Sequence, residues 1–411
     1  MIEDISTPVV VLVCYKHGGL AVVRTLGRLG VPVYVIHDKR LTAGHFSRYC
    51  RGRFLWDLDS AKPDASLRFL KAVHEQIGRR ALLIPTSDVA AMFVADHAVK
   101  LGAWFVFPEQ NCELTHSFCS KKEMYHLARK WNVPTPETAF PQSREDVVTY
   151  LKTARFPVLL KPIFGGLKSW SMTLVHDRQE LWERYQAVEN PSTPNVMLQE
   201  YVPGADEMTW VFNGYFDRSG ECKVAFTGRK LRNYPSYFGM ASLGLCAHNE
   251  KVLSTTISFM KAIGYRGPVD LGYRYDARDG RYKIHDINPR VGAMFRCFVG
   301  ANGMDVVRAL YQDMTGQTVM PAGTVENRKW IVEDCDWISA LRYWRDAKLT
   351  SRGWRDSLRG IAETSYIASD DLLPVVGAIA YDTMVLLKRV RQPWRETTKP
   401  TELTIEQRPA E

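Results

Sequence analysis

The sequence has no long, uninterrupted apolar run. Its most apolar late segment, 372–387, contains Pro374 and Asp382 and is shorter than the roughly 20 residues needed to cross a bilayer. Basic residues follow this segment, so contact of 372–391 with a membrane surface is an alternative. A helix packed on the protein is the favoured interpretation. The N-terminus shows no signal peptide and runs directly into a predicted strand, so we expect a cytoplasmic protein.

Cysteine motifs and basic tracts are also missing. The eight cysteines include no C-x-x-C pair and no spacing that suggests zinc, which predicts reduced thiols rather than disulfides. The net charge is +9, yet no compact basic tract with interleaved aromatic residues occurs. We therefore expect no nucleic-acid partner, and we expect the positive charge to attract small anionic substrates.

The fingerprint of a dinucleotide-binding site does not occur. Residues 8–37 predict a strand, a helix and a second strand, but G-x-G-x-x-G is absent. This disfavours an NAD(P)-dependent oxidoreductase and predicts a Rossmann-like scaffold in which Gly18-Gly19 forms a tight turn. A further strand is predicted over 81–84. We expect Ser87 or Asp88 to cap the next helix, although such a strand end also faces the ligand crevice of an open α/β sheet.

The most informative segment is a predicted β-hairpin at 268–292. Two strand-like stretches flank an Ala-Arg-Asp-Gly turn. Asp286 and Asn288 are two residues apart and face the same side of the second strand, and antiparallel pairing brings Asp270 beside them. Two carboxylates and an amide oxygen predict a Mg²⁺ site, with Arg290 as a neighbouring cation. The alternative, a surface hairpin with solvated acids, gives no packing reason for this charged cluster.

Further cations stand at the ends of predicted strands. Lys161 ends a buried strand and needs an anionic partner, because burying an unpaired ammonium group is costly. The next loop contains Gly165-Gly166, and its backbone N–H groups can contact phosphates. Strand alternation places Lys230 and Arg232 on one face, where two cations suit a transferring phosphate or a substrate carboxylate. A solvated strand edge is an equal alternative for this pair.

The order of these segments resembles the ATP-grasp superfamily. The hairpin ending Asp-x-Asn-Pro-Arg is similar to its metal-binding Glu-x-Asn-Pro-Arg segment. Residues 228–235, Gly-Arg-Lys-x-Arg-x-x-Pro, resemble a run in its carboxylate–amine ligase branch, in ligases similar to D-aspartate ligases. The spacing of Lys121 to Pro134 is similar to that of the superfamily's first phosphate-contacting lysine. Lys161, followed directly by Pro162 and a glycine-containing loop, resembles the second such lysine.

The resemblance implies an α/β fold with an α+β ATP-grasp core. We expect a Rossmann-like pre-ATP-grasp domain at 1–115 and a two-lobed ATP-grasp domain at 116–318. Its lobes would cover about 116–195 and 196–318. Residues 319–411, rich in tryptophan and arginine, predict an additional, mainly helical C-terminal lobe.

The resemblance also implies roles for individual residues. ATP and Mg²⁺, with Mn²⁺ as an alternative ion, are the implied cofactors. The expected metal ligands are Asp270, Asp286 and Asn288. The expected nucleotide contacts, from the phosphates to the adenine and ribose, are Lys121, Lys161, Gly165, Gly166, Glu200, Tyr201, Val202 and Glu207. The expected catalytic cations are Lys230, Arg232 and Arg290.

The implied activity joins a small-molecule carboxylate to an amine. ATP would phosphorylate the carboxylate, and the amine would attack the acyl phosphate, with release of ADP and phosphate. The sequence leaves open the two substrates and whether the chain forms a homo-oligomer. Three departures from the superfamily pattern, Asp286 and Gly272 for Glu and Ser120 for Asp, keep a second hypothesis open. This is a degenerate ATP-grasp protein that binds nucleotide as a regulator or scaffold without ligase turnover.

Overall fold

The computed structural model describes residues 2–14, 16–163, 172–237 and 239–391, with 385–391 given by their backbone alone. The N-terminal strands are β1 (Val9–Leu12), β2 (Val33–His37), β3 (Cys50–Leu55), β4 (Ala81–Pro85) and β5 (Phe105–Val106). They form a parallel sheet in the order β3-β2-β1-β4-β5. The helices of this part are α1 (Lys16–Gly27), α2 (Ala43–Phe46), α3 (Pro63–Ile77), α4 (Asp88–Asp96) and α5 (Ala98–Leu101).

The central strand β1 shows why this sheet is covered on both faces. All four of its residues are apolar and fully buried. Val9 and Val11 pack into one hydrophobic cluster, whereas Val10 and Leu12 pack into another on the opposite face. Continuous apolar runs of this kind are typical of parallel strands that have helices on both sides. The predicted Rossmann-like scaffold is confirmed.

The prediction of a tight turn at Gly18-Gly19 is wrong, because both glycines lie in the first turns of α1. A Cβ on Gly19 would lie 2.6 Å from Cys14 Sγ. A Cβ on Gly18 would lie 3.0 Å from Ala293 Cα, just beyond the predicted hairpin. The small residues therefore let α1 pack closely against its own strand and against the distant segment around 293.

A second, antiparallel sheet follows two consecutive helices. The elements are α6 (Cys112–Cys119), α7 (Lys121–Lys130), β6 (Thr138–Ala139), α8 (Arg144–Thr153), β7 (Val158–Lys161), β8 (Thr173–Val175), α9 (Arg178–Val188) and β9 (Met197–Glu200). The strand order is β6-β9-β7-β8. Val158, Leu160 and Leu198 are among the residues of its core. The loop glycines Gly165 and Gly166 lie outside the described residues.

The third sheet has seven strands and contains the predicted hairpin. Its first members and their helices are β10 (Thr209–Phe216), β11 (Cys222–Tyr234), β12 (Met240–Cys246), α10 (Glu250–Ala262), β13 (Gly267–Asp276), β14 (Arg281–Asn288) and α11 (Val306–Met314). Short 3₁₀ turns occur at Asp206–Met208 and Phe295–Cys297. Strands β13 and β14 pair antiparallel, as predicted.

The C-terminal region is mainly helical but also extends this sheet. Its elements are β15 (Lys329–Ile331), α12 (Glu333–Arg345), α13 (Ser351–Ser357), β16 (Ile361–Thr364) and α14 (Leu373–Arg391). The sheet order is β14-β13-β10-β11-β12-β15-β16, so two strands of this region complete the sheet. The α/β fold class is confirmed, whereas the domain boundaries stay a prediction.

A buried ion pair joins the C-terminal region to the first sheet. Arg24 of α1 donates to Asp371 at 2.9 Å and to the carbonyl oxygens of Ser365 and Tyr366 at 3.0 and 2.8 Å. Helix α14 packs against α2, where a Cβ on Gly377 would lie 2.7 Å from the Phe46 ring. This contact agrees with the favoured packed helix. Among the described helices, none combines the length and hydropathy that a bilayer span requires.

Candidate active site

The structure brings the three predicted metal ligands together at one end of the hairpin. In the β13–β14 pairing, Asp270 lies opposite Asn288 and Gly272 lies opposite Asp286. Asn288 Nδ2 is 3.1 Å from Asp286 Oδ2 and 3.4 Å from Asp270 Oδ2. Three oxygen-bearing side chains therefore converge at one point, as the alternation of the two strands predicted.

The two carboxylates of this cluster differ in charge environment. Desolvation raises the pKa of Asp270 to about 6, with Asp286 acting in the same direction and Arg290 against it. Desolvation also acts to raise the pKa of Asp286, but the charge and hydrogen bond of Lys121 outweigh it and hold this pKa well below its usual range. Asp286 is thus the firmly ionised member of the pair, and Asp270 depends more on a nearby cation to stay charged.

Gly272 stands where members of the ATP-grasp superfamily, which the sequence resembles, often carry an acid. A β-bulge between Gly272 and Tyr273 leaves His285 as the extra residue of β14. A Cβ on Gly272 would lie 2.8 Å from His285 Nε2. His285 Nδ1 is buried and has no hydrogen-bond partner among the described residues. Desolvation, followed by the charge of Lys230, lowers the pKa of His285 to about 3, so this imidazole is neutral.

Lys121 and Lys161 reach the same cluster from two different elements. Lys121 is the first residue of α7, whose N-cap is Ser120, and its ammonium group pairs with Asp286. Lys161 ends β7 and donates to Gln199 Oε1 at 2.7 Å. Desolvation, and then the positive charge of Lys121, lowers the pKa of Lys161 to about 8. The second lysine is therefore a cation at neutral pH whose charge is easily lost.

A third lysine and an arginine complete the ring of cations. Lys230 Nζ is 3.4 Å from the carbonyl oxygen of Gly239, and desolvation lowers its pKa while Asp286 and Asp270 oppose that shift. Arg290 donates through Nε to Asp88 Oδ1 at 2.7 Å and through a terminal nitrogen to Asn288 Oδ1 at 3.1 Å. The positive charges thus lie around the carboxylates, as a site for phosphates requires.

The contact of Arg290 with Asp88 also resolves the two interpretations of the Ser87-Asp88 segment. Ser87 is the N-cap of α4 and accepts a hydrogen bond from Ala90 N. Asp88 begins the helix and faces the hairpin instead of capping it. The carboxyl end of β4 therefore borders the candidate site, as expected for the ligand crevice of an open α/β sheet.

The prediction that Arg232 shares a face with Lys230 is wrong. Lys230 pairs with Gly244 of β12, and Arg232 pairs with the adjacent residue, Leu243. A bulge in β11 between Lys230 and Arg232 causes this shift in the pairing. Adjacent strand positions face opposite sides of a sheet, so the two cations point apart. Arg232 is buried and donates to Asp336 at 2.8 and 2.9 Å and to Ser357 at 2.8 Å. Its charge is neutralised inside the C-terminal region.

The predicted nucleotide contacts lie around the end of β9 and engage basic residues. Glu200 accepts from Arg278 at 2.5 Å and from Lys283 at 3.2 Å. The carbonyl oxygen of Val202 accepts from Arg274 at 2.7 Å, and Tyr201 lies between these two positions. Glu207 pairs with Arg229 at 3.1 Å. The roles of these four residues toward a nucleotide stay a prediction.

Two polar residues at the site were not predicted from the sequence. Asn213 of β10 pairs with Asp270 and donates to its Oδ1 at 3.3 Å. Gln199 of β9 accepts from Lys161 and donates to Thr138 at 3.1 Å. Each is a polar residue in a strand-like run, and it joins the site only through the pairing of non-adjacent strands. A search for polar residues at buried strand positions would have selected both.

No protein-family model matches the chain. A D-aspartate ligase of Enterococcus faecium (strain Aus0004) is 27% identical over 279 residues, which cover 63% of this chain and 64% of that protein. The chain therefore matches less than two thirds of the length of that relative.

Solved structures show a similar fold at low sequence identity. The ADP complex of N5-carboxyaminoimidazole ribonucleotide synthetase superposes with a TM-score of 0.61 at 12% identity, over 80% of this chain and 82% of that one. An L-amino acid ligase from Bacillus licheniformis superposes with a TM-score of 0.59 at 13% identity, over 78% of each chain. The chain thus shares the fold of these ligases and is similar in sequence to a D-aspartate ligase, which agrees with the resemblance of its ordered motifs to the ATP-grasp superfamily.

Proposed function

We propose that the chain is an ATP-dependent ligase that joins a small-molecule carboxylate to an amine. One observation carries the proposal: two carboxylates at a hairpin end are surrounded by lysines from three separate elements and by one arginine. A packed core has no use for such a concentration of charge, whereas a triphosphate with its metal ion does. The sequence similarity to a D-aspartate ligase supports the same chemistry.

The donor set of the hairpin fits a magnesium ion. Asp270 and Asp286 offer carboxylate oxygens, which Mg²⁺ and Mn²⁺ accept as ligands. The Asn288 amide now directs Nδ2 at the two carboxylates and Oδ1 at Arg290, and a rotation of this amide would offer its oxygen to the ion. Asn213 holds one oxygen of Asp270, which orients that carboxylate. When bound, the ion would neutralise phosphate charge and position the phosphate oxygens. Lys121 would then exchange part of its interaction with Asp286 for a phosphate oxygen.

The cations divide the phosphate chemistry among them. Lys121 and Lys161 bind phosphate oxygens of ATP, and Lys230 and Arg290 stabilise the charge that develops on the γ-phosphoryl group and on the acyl carboxylate. A carboxylate oxygen attacks the γ-phosphorus, and the bond to the ADP oxygen breaks. The neutral amine then attacks the acyl carbon, phosphate leaves, and the amine proton passes to solvent. Arg232 is outside this set, because Asp336 already neutralises it.

The nucleotide base would lie beside the end of β9. Glu200, with the backbone of Tyr201 and Val202, would contact the adenine, and Glu207 would contact the ribose hydroxyl groups. Three of these groups, the Glu200 and Glu207 carboxylates and the Val202 carbonyl, are already hydrogen bonded to arginines, which would reorient or remain as outer supports. These assignments are proposals, as are the phosphate contacts of Gly165 and Gly166.

The direct test is release of ADP and phosphate from Mg²⁺-ATP. The full chain is incubated with pooled amino acids and small carboxylates, with D-aspartate as the first single acid to be tried. We expect release that depends on both an acid and an amine. Lys121→Ala and Lys161→Ala should abolish it, whereas Lys122→Ala, which removes the neighbouring lysine of α7, should retain it. Equal losses in all three variants would contradict the assigned roles.

A specific observation favours the second hypothesis, a nucleotide-binding protein without turnover. His285 occupies the space where an acidic side chain at position 272 would lie, so this site lacks one of the superfamily's usual acids. Binding of Mg²⁺-ATP without release of ADP in any pool would support a regulatory or scaffold role. If the protein neither binds ATP nor releases ADP, both hypotheses are overturned.

A further inference from the structure

A second group of metal-ligating side chains lies at the far end of a helix pair. Asp96 is the last residue of α4, and Cys112 and His116 are one turn apart at the start of α6. Cys112 Sγ is 3.0 Å from Asp96 Oδ1, and His116 Nε2 is 2.7 Å from the same oxygen. All three ligand atoms lie within 4.8 Å of one another.

We propose that Asp96, Cys112 and His116 form a binding site for a zinc-like divalent ion. A thiolate, an imidazole and a carboxylate are the three ligand types that Zn²⁺ prefers, at roughly 2.3, 2.0–2.1 and 2.0–2.2 Å. Tetrahedral bonds of those lengths place the ligand atoms about 3.5 Å apart. The hydrogen-bonded atoms therefore need to separate by less than about 1 Å to admit the ion. Asp96 and His116 are 39% and 47% exposed, so water can reach a fourth position.

The spacing of the ligands on the backbone makes this arrangement specific. Residues four apart on a helix lie on the same face, so Cys112 and His116 point the same way without strain. Asp96 comes from the helix packed against them. The sequence alone predicts no zinc site, because only a C-x-x-x-H pair is visible in it. The third ligand appears once α4 and α6 pack side by side.

The position of the site separates it from the proposed active site. The other ends of the same helices border the hairpin. Asp88, the first residue of α4, forms an ion pair with Arg290, and α6 ends at Cys119, directly before Ser120 and Lys121. A bound ion would therefore tie together the far ends of two helices whose near ends position groups of the active site. The two sites also differ in chemistry, since the three candidate ligands of the hairpin are carboxylate and amide groups and include no thiolate.

The test uses Co²⁺ as a spectroscopic probe for this ligand set. Reduced, full-length protein freed of metal by a chelator is titrated with Co²⁺ in the presence of saturating Mg²⁺. We expect one equivalent to produce a thiolate-to-cobalt charge-transfer band and the visible bands of tetrahedral cobalt, both removed by Zn²⁺. Loss of an outer-sphere partner already weakens metal sites by roughly 10–100-fold. Removing a direct ligand by Asp96→Asn or His116→Gln should therefore weaken binding by more than about 100-fold.

Matched variants decide the outcome. Cys112→Ser should remove the charge-transfer band, whereas Cys50→Ser and His248→Gln, which change a thiol and an exposed imidazole elsewhere, should keep it. Asp286→Asn should also keep it, so the result does not depend on ligase activity. Circular dichroism checks that each variant is folded. Absence of the band in the unmodified protein, or its survival in Cys112→Ser, would overturn the proposal.

Discussion

The ion pair between Arg232 and Asp336 offers a quantitative test of how the structure uses the cationic run at 228–235. The side chains are 5% and 1% exposed, and two hydrogen bonds of 2.8 and 2.9 Å join them. Ser242 and Trp354 also donate to Asp336, at 3.2 and 3.3 Å. Removing one partner of a buried pair leaves an uncompensated charge and costs roughly 3–5 kcal/mol. We expect Asp336→Ala to lower the free energy of unfolding by this amount.

Urea unfolding followed by tryptophan fluorescence measures this change, and Trp354 lies at the site of substitution. Asp356→Ala is the matched control, because Asp356 pairs with exposed arginines of the same region and should cost below about 1 kcal/mol. The double variant Arg232→Met/Asp336→Leu removes both charges and should be less destabilised than Asp336→Ala alone.

A small effect would refute this interpretation. If Asp336→Ala unfolds at the same urea concentration as Asp356→Ala, then Asp336 does not neutralise a buried guanidinium group. Arg232 would then be free to act as the catalytic cation that strand alternation predicts. A double variant as unstable as the single one would also contradict the charge argument, since it leaves no unpaired charge.

Further outcomes concern the candidate active site. Because the pKa of Lys161 is lowered to about 8, its charge is present below that pH and lost above it. The affinity for ATP should therefore fall above pH 8, by up to about tenfold per pH unit. Lys161→Arg should remove this pH dependence of ATP binding, because an arginine stays charged. Asp286→Asn should slow ADP release by at least about 100-fold at fixed Mg²⁺. Gly292→Ala would place a Cβ 2.4 Å from Asp270 Oδ1 and should raise the Mg²⁺ concentration needed for ADP release, whereas Gly323→Ala, with its nearest neighbour 4.0 Å away, should not. An unchanged Mg²⁺ requirement in Gly292→Ala would show that the position of Asp270 is unimportant.

The candidate metal site was predictable because it depends on local rules. A tight turn and two alternating strands define the hairpin, and the side chains of Asp270, Asp286 and Asn288 follow from a period of two. The apolar run of β1 likewise predicts a buried parallel strand, and the structure confirms it. Such patterns require only the residues within one hairpin or one strand.

The cationic run shows where a local rule fails. Lys230 and Arg232 obey the period of two in sequence, but an extra residue in β11 turns Arg232 to the opposite face, and the ladder shifts again directly after it, between Arg232 and Asn233. A bulge is a property of two paired strands, so the sequence of one strand does not reveal it. The same reason explains His285, which a second bulge turns toward Gly272.

The sequence by itself determined the order of the elements, the hairpin with its candidate metal ligands, and the candidate lysines, since each of these depends on residues that are close in the chain. The tertiary structure decided which of these groups meet. It placed Asp88 on Arg290, buried Arg232 against Asp336, added β15 and β16 to the main sheet, and brought Asp96 to Cys112 and His116. Each of these contacts joins separate elements, and most of them join residues far apart in the chain. They depend on strand order and helix packing, which are set by the burial of apolar surface across the whole molecule.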